Sequence, residues 1–248
     1  MRLSFRPFRP RPSLLLPALL TLAACGGQPL QAPRATAGTA AATRATAPRW
    51  IVATTSAGLS RAALDAVGAV VVDRIPALGV LVMQGDAPDL PRRLASLPGV
   101  RWVEPDGPVR AARELAFRGP SLLAADDLLP QLWGMEAIGA RRVWATTPGD
   151  RAVKVAVIDT GIDAAHPDFS GRVEAGRDFI NQDDDPADDD GHGTHCAGTV
   201  AAGLGNGGVV GVAPGVTLLA VKVLDGEGGG TFVSVSAGIV HAADRGAR

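Results

Sequence analysis

The segment VKVAVIDTG at residues 153–161 decides the fold class of this chain. An apolar run that ends in a polar turn is typical of a strand buried on both faces of a sheet. A second such strand is predicted in APGVTLLAVKVLD at residues 213–225. Helical patterns accompany the strands at residues 131–145 and around Phe232, Val235 and Ile239, which share one helical face. Because alternating strands and helices favour right-handed crossovers, residues 131–248 are predicted as an α/β domain with part of a doubly wound parallel sheet.

The composition is that of a globular protein. The chain has 248 residues, of which 46% are hydrophobic and 20% are charged, and this balance supports one or two folded domains. The formal net charge is -1, which gives no reason for binding to nucleic acid or to an anionic membrane surface. No nucleic-acid partner is predicted.

Residues 1–24 have the pattern of an export signal. A basic arm precedes an apolar run from Leu14 to Ala24, and this run is shorter than the roughly 20 residues that span a bilayer. The run ends in LAAC, which resembles the lipobox of bacterial lipoproteins and implies lipid attachment at Cys25. The alternative is a plain signal with a coincidental cysteine. The protein is therefore expected to be exported, either anchored in a membrane through lipid or extracellular.

Three further parts separate the export signal from the α/β domain. Residues 25–49 are rich in Ala, Thr, Gly and Pro and are predicted as a flexible tether. Residues 50–111 alternate strand and helix patterns in the order βαββαβ, which predicts a small α+β domain of ferredoxin-like topology. Residues 112–130 carry mixed charge and are predicted as a connector. If Cys25 carries lipid, Cys196 has no partner for a disulfide.

Asp159 and His192 are the candidate reactive residues. Reactive groups in open parallel sheets gather at the carboxyl ends of strands, and Asp159 follows an apolar strand. His192 lies between Gly191 and Gly193, which would let another backbone, such as that of a peptide, approach the imidazole closely. The alternatives are a helix-capping aspartate and an ordinary histidine at a helix start.

Three segments in this order resemble the subtilisin-like serine proteases, the subtilases. They are VKVAVIDTGIDAAHPDF from residue 153, GHGTHCAGTVAA from residue 191, and GVAPGVTLLAVKVLDGEGGGTF from residue 211. The stretches HGTHCAGT and HAADRGAR are similar to the thermitase and proteinase K branches. The resemblance implies that Asp159 orients His192, and that His192 takes the proton from a serine hydroxyl that attacks a peptide carbonyl.

The nucleophilic serine of the family pattern is absent from residues 1–248. The family places it in a Gly-Thr-Ser-Met-Ala-type turn, and neither Ser234 nor Ser236 has that context. The oxyanion-hole asparagine is absent as well. The chain is therefore expected to be a subtilase precursor cut short, an incomplete subtilisin-like fold that is inactive as written.

The glycine-rich segment GEGGGTF at residues 226–232 is the candidate substrate-binding edge. It lacks the Gly-Lys-Ser/Thr ending of a phosphate-binding loop, and a flexible surface loop is the remaining alternative. The resemblance implies that Gly228, Gly229 and Gly230 pair with a protein or peptide substrate as an added strand. It also implies that Leu224 and Phe232 line a side-chain pocket.

Two kinds of metal site are possible from the residue types. His192 and His195 have a spacing compatible with zinc, beside carboxylates of the acidic run 183–190, but zinc would remove the base. That run is otherwise predicted as a solvated loop.

Calcium suits the oxygen-rich composition better. Asp168 matches a calcium-binding aspartate of the family, with carbonyl oxygens expected from GLGNGGV and Asn206 one place away from the family position. Asp127 is a further candidate ligand.

The family resemblance also assigns a role to residues 50–111. Subtilases are commonly made with an inhibitory propeptide that assists folding and lays its C-terminal strand in the cleft, and this segment resembles one. The expected partners are thus a protein substrate, the chain's own propeptide domain and, through the anchor, a membrane. Two rival functions stay open: a tethered protease inhibitor or chaperone acting through residues 50–111, and a non-catalytic scaffold lipoprotein.

Overall fold

The computed structural model describes residues 47–56, 58–112 and 128–248. The predicted export signal, the lipidation site Cys25 and the candidate ligand Asp127 lie outside the described residues, as do most of the predicted tether and connector. In the parts of the chain that are described, no helix has the length and hydropathy needed to cross a membrane.

The N-terminal part is an antiparallel sheet with two short helices. Its elements are β1 (Arg49–Thr54), α1 (Arg61–Ala66), β2 (Val70–Ile75), β3 (Val80–Gln84), α2 (Leu90–Ala95) and β4 (Val100–Pro105). The strand order is β2-β3-β1-β4. Leu90 and Leu94, one helical turn apart, are fully buried against Val52 and Met83 of the sheet. The elements follow the predicted βαββαβ order.

The remaining elements form the α/β part. They are β5 (Pro108–Arg110), α3 (Trp133–Ala137), α4 (Ala140–Trp144), β6 (Lys154–Asp159), β7 (Val173–Asp178), α5 (His192–Ala201), β8 (Thr217–Lys222), β9 (Gly229–Thr231) and α6 (Phe232–Asp244). Strands β6, β8 and β7 pair in that order, all parallel. This confirms the predicted α/β class with a parallel sheet.

Strand β8 is buried on both faces, which explains its uninterrupted apolar sequence. Leu218 and Ala220 pack in the cluster that contains Ala197 of α5. Leu219 and Val221 point to the opposite face and pack in the cluster that contains Ala242 of α6. One helix therefore covers each face of the sheet, and the carboxyl ends of β6 and β8 come together at one edge.

The sequence pattern around β7 and α3 differs from what the structure shows. Strand β7 is not predicted, because Glu174 and Arg177 interrupt any apolar run. The helix predicted at 131–145 is divided into α3 and α4, because Gly139 between them has a left-handed φ of 71°.

The three residues predicted to share one helical face of α6 differ in burial. Phe232 and Ile239 are 48% and 54% exposed, whereas Val235 packs in the cluster that contains Ala242. Gly238 lets the helix lie close to Val223, since a Cβ there would lie only 2.5 Å from Val223 Cγ1. The helix thus presents its small residues to the sheet.

The N-terminal part contacts the α/β part directly. Strand β5 pairs antiparallel with β9, and Val233 of α6 packs with Ala53, Ile75 and Val82 of the N-terminal sheet. The described residues between 47 and 248 belong to one compact unit. The division into a small domain at residues 50–111, a connector at 112–130 and an α/β domain at 131–248 stays a prediction.

Candidate active site

The structure brings Asp159 and His192 together. Asp159 is the last residue of β6 and His192 is the first residue of α5. His192 Nδ1 lies 2.7 Å from Asp159 Oδ1, and the two side chains are only 16% and 13% exposed. A short contact between two largely buried side chains fixes the orientation of the imidazole ring and favours the proton on Nδ1.

Asp188 ties the end of β6 to the start of α5. Its Oδ1 accepts hydrogen bonds from Thr160 Oγ1 at 2.8 Å and Gly191 N at 2.9 Å. Its Oδ2 accepts from the backbone N and the hydroxyl of Thr194 at 2.8 and 2.5 Å. The prediction of a purely solvated acidic run is therefore wrong for this residue, because its carboxylate satisfies the open amides at the N-terminus of α5.

The hydrogen bonds around Asp188 determine its ionisation. Burial by itself would raise the pKa of Asp188, but the hydrogen bonds from Thr194, Gly191 and Thr160 outweigh burial and hold its pKa below the ordinary value. A carboxyl whose pKa is lower in the folded state stabilises the fold above its unfolded pKa of about 3.9. That contribution is lost as the pH falls below this value.

Asp188→Asn is expected to lower the free energy of unfolding near pH 7 by about 1–3 kcal/mol, because the NH₂ group that replaces one carboxylate oxygen cannot accept the hydrogen bonds that this oxygen accepts. It should also reduce the loss of stability on acidification below pH about 4, because asparagine does not titrate. Urea unfolding of residues 1–248 across this pH range measures both effects. The exposed Asp184 provides the control, and an equal effect of Asp184→Asn would contradict the assignment.

The two glycines beside His192 serve the chain's own backbone. Gly191 has a left-handed φ of 105°, which allows the turn into α5. A Cβ on Gly193 would lie 2.1 Å from the carbonyl oxygen of Gly161. The backbone that lies close to Gly193 is the loop after Asp159, and the approach of a substrate backbone to the imidazole stays a prediction.

One potential metal-ligating trio lies among the described residues. Ligand atoms of Asp159, His192 and Cys196 are within 4.8 Å of one another, and Cys196 Sγ is 3.8 Å from His192 Nδ1. His195, the partner in the zinc alternative, is exposed on α5 and is not in this trio. The structure therefore places His192 beside Asp159 and Cys196 in this trio of potential ligands, and His195 is not a member of it.

The predicted substrate-binding residues lie along β9 and its preceding loop. Asp225 Oδ1 accepts from the amides of Glu227 and Gly229 at 2.9 and 2.8 Å. The amides of Gly229 and Glu227 lower the pKa of Asp225, so the loop is closed by an ionised carboxylate. Leu224 is buried and bridges to Gly230.

Strand β5 occupies the edge of β9. Val109 lies opposite Gly230, and the Ala111 amide donates to the Gly228 carbonyl at 2.8 Å. Phe232 covers Gly107, where a Cβ would lie 2.6 Å from its ring. The predicted substrate edge is thus paired with the end of the N-terminal part.

Asp106 joins the N-terminal part to α6. Its side chain is fully buried, and Oδ1 accepts from the backbone N of Val233 at 3.0 Å in the first turn of α6. Its Oδ2 lies 3.3 Å from Arg49 Nε. A carboxylate at a helix N-terminus is stabilised by the amides and by the helix dipole.

The two serines after His192 are placed in α6. The hydroxyl of Ser234 is buried, lies 2.9 Å from the carbonyl oxygens of Val223 and Thr231, and accepts from the Thr231 amide. Together with Thr231 it forms the cap of α6. Ser234 is thus a structural group, and Ser236 lies within the same helix.

Two of the candidate calcium residues, Asp168 and Asn206, line a cavity of about 840 Å³ whose lining includes neither Asp159 nor His192. Asp168 is 7% exposed, and a Cβ on Gly208 would lie 2.4 Å from its Oδ1. A buried carboxylate that requires a glycine beside it fits an oxygen-ligand site for a hard cation.

Sequence reasoning missed three polar residues that organise this region: Asp106, Asp188 and Lys222. Lys222 is the one with a visible pattern, because a lysine inside the apolar run AVKVL must find partners if the strand is buried. The other two depend on contacts between distant segments.

Known proteins match this chain in part. The sequence profile of the Subtilase family (Peptidase_S8) matches residues 150–248. Thermitase of Thermoactinomyces vulgaris is 45% identical over 117 residues, which cover 47% of this chain and 42% of thermitase. The thermophilic serine proteinase of Bacillus sp. (strain AK1) is 35% identical over 192 residues, which cover 75% of this chain and 45% of that protein. The chain spans less than half the length of both relatives.

A solved structure is also similar over most of the chain. Fervidolysin from Fervidobacterium pennivorans, described as a keratinolytic enzyme related to subtilisin, superposes with a TM-score of 0.63 and 30% sequence identity. The match covers 82% of this chain and 35% of that one. The similarity therefore extends beyond the residues matched by the family profile.

Proposed function

Residues 150–248 belong to the subtilase family, and on that premise we propose that the protein is the precursor of an exported serine endopeptidase. The observation that carries the proposal is the 2.7 Å contact between His192 Nδ1 and Asp159 Oδ1. Both residues stand in family motifs, and the contact leaves Nε2 as the nitrogen that can take a proton from a nucleophile.

The contact supports the following proposed roles. His192 Nε2 accepts the proton of a serine hydroxyl as its oxygen attacks the peptide carbonyl carbon, and then delivers that proton to the leaving amine. Asp159 holds the ring with its proton on Nδ1 and stabilises the imidazolium that forms. The serine ester is then hydrolysed by water in the reverse sequence of proton transfers.

We propose that the nucleophilic serine is not among residues 1–248. Ser234 is used in the cap of α6, and the motif expected around a subtilase serine is not found after His192. We propose that residues 1–248 by themselves hydrolyse no peptide bond, since the pair alone lacks both the attacking group and the oxyanion donor.

The N-terminal part is proposed to be an inhibitory propeptide. Its support is the pairing of β5 with β9, because a strand bound there occupies the edge that a substrate would use. Leu224, Gly228 to Gly230 and Phe232 would bind the substrate after that strand leaves.

We propose that a structural calcium ion is bound by Asp168, with Asn206 and carbonyl oxygens of the 203–209 loop as further ligands. The support is the buried Asp168 carboxylate beside Gly208. Asp127 stays a candidate ligand by sequence. An ion at this site would neutralise the carboxylate and hold the loop to the turn at Pro167–Phe169.

Calcium is expected to raise the Tm of residues 1–248, and Asp168→Asn is expected to abolish this rise. A ligand at one hundred times its Kd stabilises a folded protein by about 2.7 kcal/mol. Thermal unfolding with calcium and with a chelator measures the difference. Asp163→Asn is the control, since Asp163 lines the same cavity but accepts a hydrogen bond from Ala165 N. A calcium effect that survives Asp168→Asn would contradict the site.

The peptidase proposal is tested on the complete reading frame that encodes residues 1–248. Its purified product should hydrolyse a denatured protein and should be labelled at one serine by a fluorophosphonate. Fractionation of cells that express the gene, with and without Cys25→Ser, tests the proposed lipid anchor separately. A product that is neither labelled nor active after removal of residues 1–111 would refute the peptidase proposal.

The second candidate function is a tethered inhibitor or chaperone, which is favoured by the capping of α6 by Asp106. The purified chain should then inhibit a complete subtilase. Substituting Asp106 with alanine should weaken the inhibition, and failure to bind any subtilase would exclude this function.

A further inference from the structure

Lys222 is a buried cation at the centre of the proposed site. It ends β8 directly opposite Asp159 of β6 and is 1% exposed. Its ammonium donates to the carbonyl oxygen of Thr160 at 2.6 Å, to that of Leu224 at 2.9 Å and to Asp189 Oδ1 at 2.5 Å. An ammonium has three N–H donors, so every donor is used.

The three acceptors belong to three different segments of the site. Thr160 follows Asp159, and Asp189 lies in the loop that leads into His192. Leu224 precedes the loop of the substrate edge β9. No other contact described above joins all three segments through one group.

We infer that Lys222 is a positioning residue, which sets the distance between Asp159, His192 and the substrate edge. The inference rests on the proposed peptidase function for its kinetic consequence, but the positioning itself is a property of residues 1–248. Lys222 does not touch the reacting atoms. It acts through the carbonyl oxygen next to Asp159 and through the loop before His192.

A loss of stability alone would not distinguish a positioning role from a structural one. Lys222→Met keeps the length of the side chain and removes its charge, but it also leaves the carbonyl oxygens of Thr160 and Leu224 without their donor. Because unpaired buried acceptors are destabilising, this variant is expected to lower the Tm. The neighbours of Lys222 in β8 are Leu219, Ala220 and Val221, all at most 1% exposed, so the methionine side chain itself suits the strand. The positioning role therefore needs a readout at the contact between Asp159 and His192.

The first readout needs no peptidase activity. The proton shared by His192 Nδ1 and Asp159 Oδ1 should give a strongly downfield ¹H resonance in residues 1–248, because short charge-assisted hydrogen bonds deshield their protons. Lys222→Met is expected to shift or broaden this resonance in the folded protein, in addition to lowering the Tm. Misplacement of the pair by about 1 Å should also lower kcat of the complete product roughly 100-fold.

The matched control is Lys154→Met in the same sheet. Lys154 begins β6, at the end opposite Asp159, and its ammonium binds Glu174 and the carbonyl oxygen of Arg245. The control should leave the resonance and kcat unchanged. A purely structural Lys222 would instead lower the Tm in Lys222→Met and leave the resonance unchanged.

Asp189→Asn is a second variant whose downfield resonance can be measured if Lys222→Met does not fold. The Asp189 side chain is 56% exposed, so its substitution cannot collapse the core. It should move the resonance in the same direction by a smaller amount, because one of the three partners of Lys222 loses its charge. An unchanged resonance in both Lys222→Met and Asp189→Asn, or an equal change in Lys154→Met, would overturn the inference. A resonance that changes as expected in a product without peptidase activity supports the positioning role and refutes only the proposed function.

Discussion

Replacing His192 with alanine is expected to lower kcat for peptide hydrolysis by the complete gene product about 10⁶-fold, the loss that removal of the histidine causes in subtilisin. In the proposed mechanism the imidazole takes the proton of the nucleophile, and Asp159 Oδ1 lies 2.7 Å from its Nδ1. Without it the serine hydroxyl attacks as a neutral and weak nucleophile. A factor of this size corresponds to about 8 kcal/mol of transition-state stabilisation.

Asp159→Asn should cause a smaller loss of kcat, of about 10⁴, because it leaves the imidazole in place but favours the wrong tautomer. A larger loss of kcat in His192→Ala than in Asp159→Asn identifies His192 as the base and Asp159 as the residue that orients it. His241→Phe is the control, since His241 lies on α6 and its ring packs on Phe179. Steady-state kinetics on a peptide substrate measure all three. Equal activity of the wild type and His192→Ala would remove His192 from the mechanism.

The strands that carry Asp159 and Lys222 could be predicted because both are covered on two faces. Such strands require uninterrupted apolar runs, and these runs are visible in the sequence. Strand β7 pairs only with β8 among the described strands, so it tolerates Glu174 and Arg177 and shows no run. Apolar runs in a sequence therefore predict the strands that are covered on both faces, but they do not predict a partly exposed strand at the edge of the sheet.

The three aspartates before His192 show why the details of the site could not be predicted. Asp188 caps α5, Asp189 binds Lys222, and Asp190 Oδ1 accepts the amide of His192 at 3.1 Å. In the sequence they are one acidic run, and an acidic run is most often a solvated surface. Their separate roles come from segments that lie far away along the chain, which local spacing does not encode.

Gly193→Ala is expected to have the largest effect on stability, because α5 lies against the loop after Asp159 at this point. An added Cβ would lie 2.1 Å from the Gly161 carbonyl oxygen and 3.0 Å from its amide nitrogen. Backbone atoms cannot rotate away as a flexible side chain can, so the helix and the loop must separate. Overpacking of this kind costs about 3 kcal/mol, or roughly 6–12 °C in Tm for a chain of this size. The same separation should lengthen the contact between Asp159 and His192 and shift its downfield resonance.

Gly198→Ala decides whether the effect comes from this contact or from the loss of a helical glycine. Gly198 is buried in the same helix, but its added Cβ would meet only Val209 Cγ2, at an ordinary 3.9 Å. Alanine is favoured over glycine inside a helix by about 1 kcal/mol, so this variant should be neutral or more stable. Thermal unfolding of both variants of residues 1–248 should therefore show a clear loss of Tm in Gly193→Ala. The Tm of Gly198→Ala should be unchanged or higher. If Gly193→Ala were as stable as Gly198→Ala, the loop and helix would not be in contact, and the orientation of His192 would need another cause.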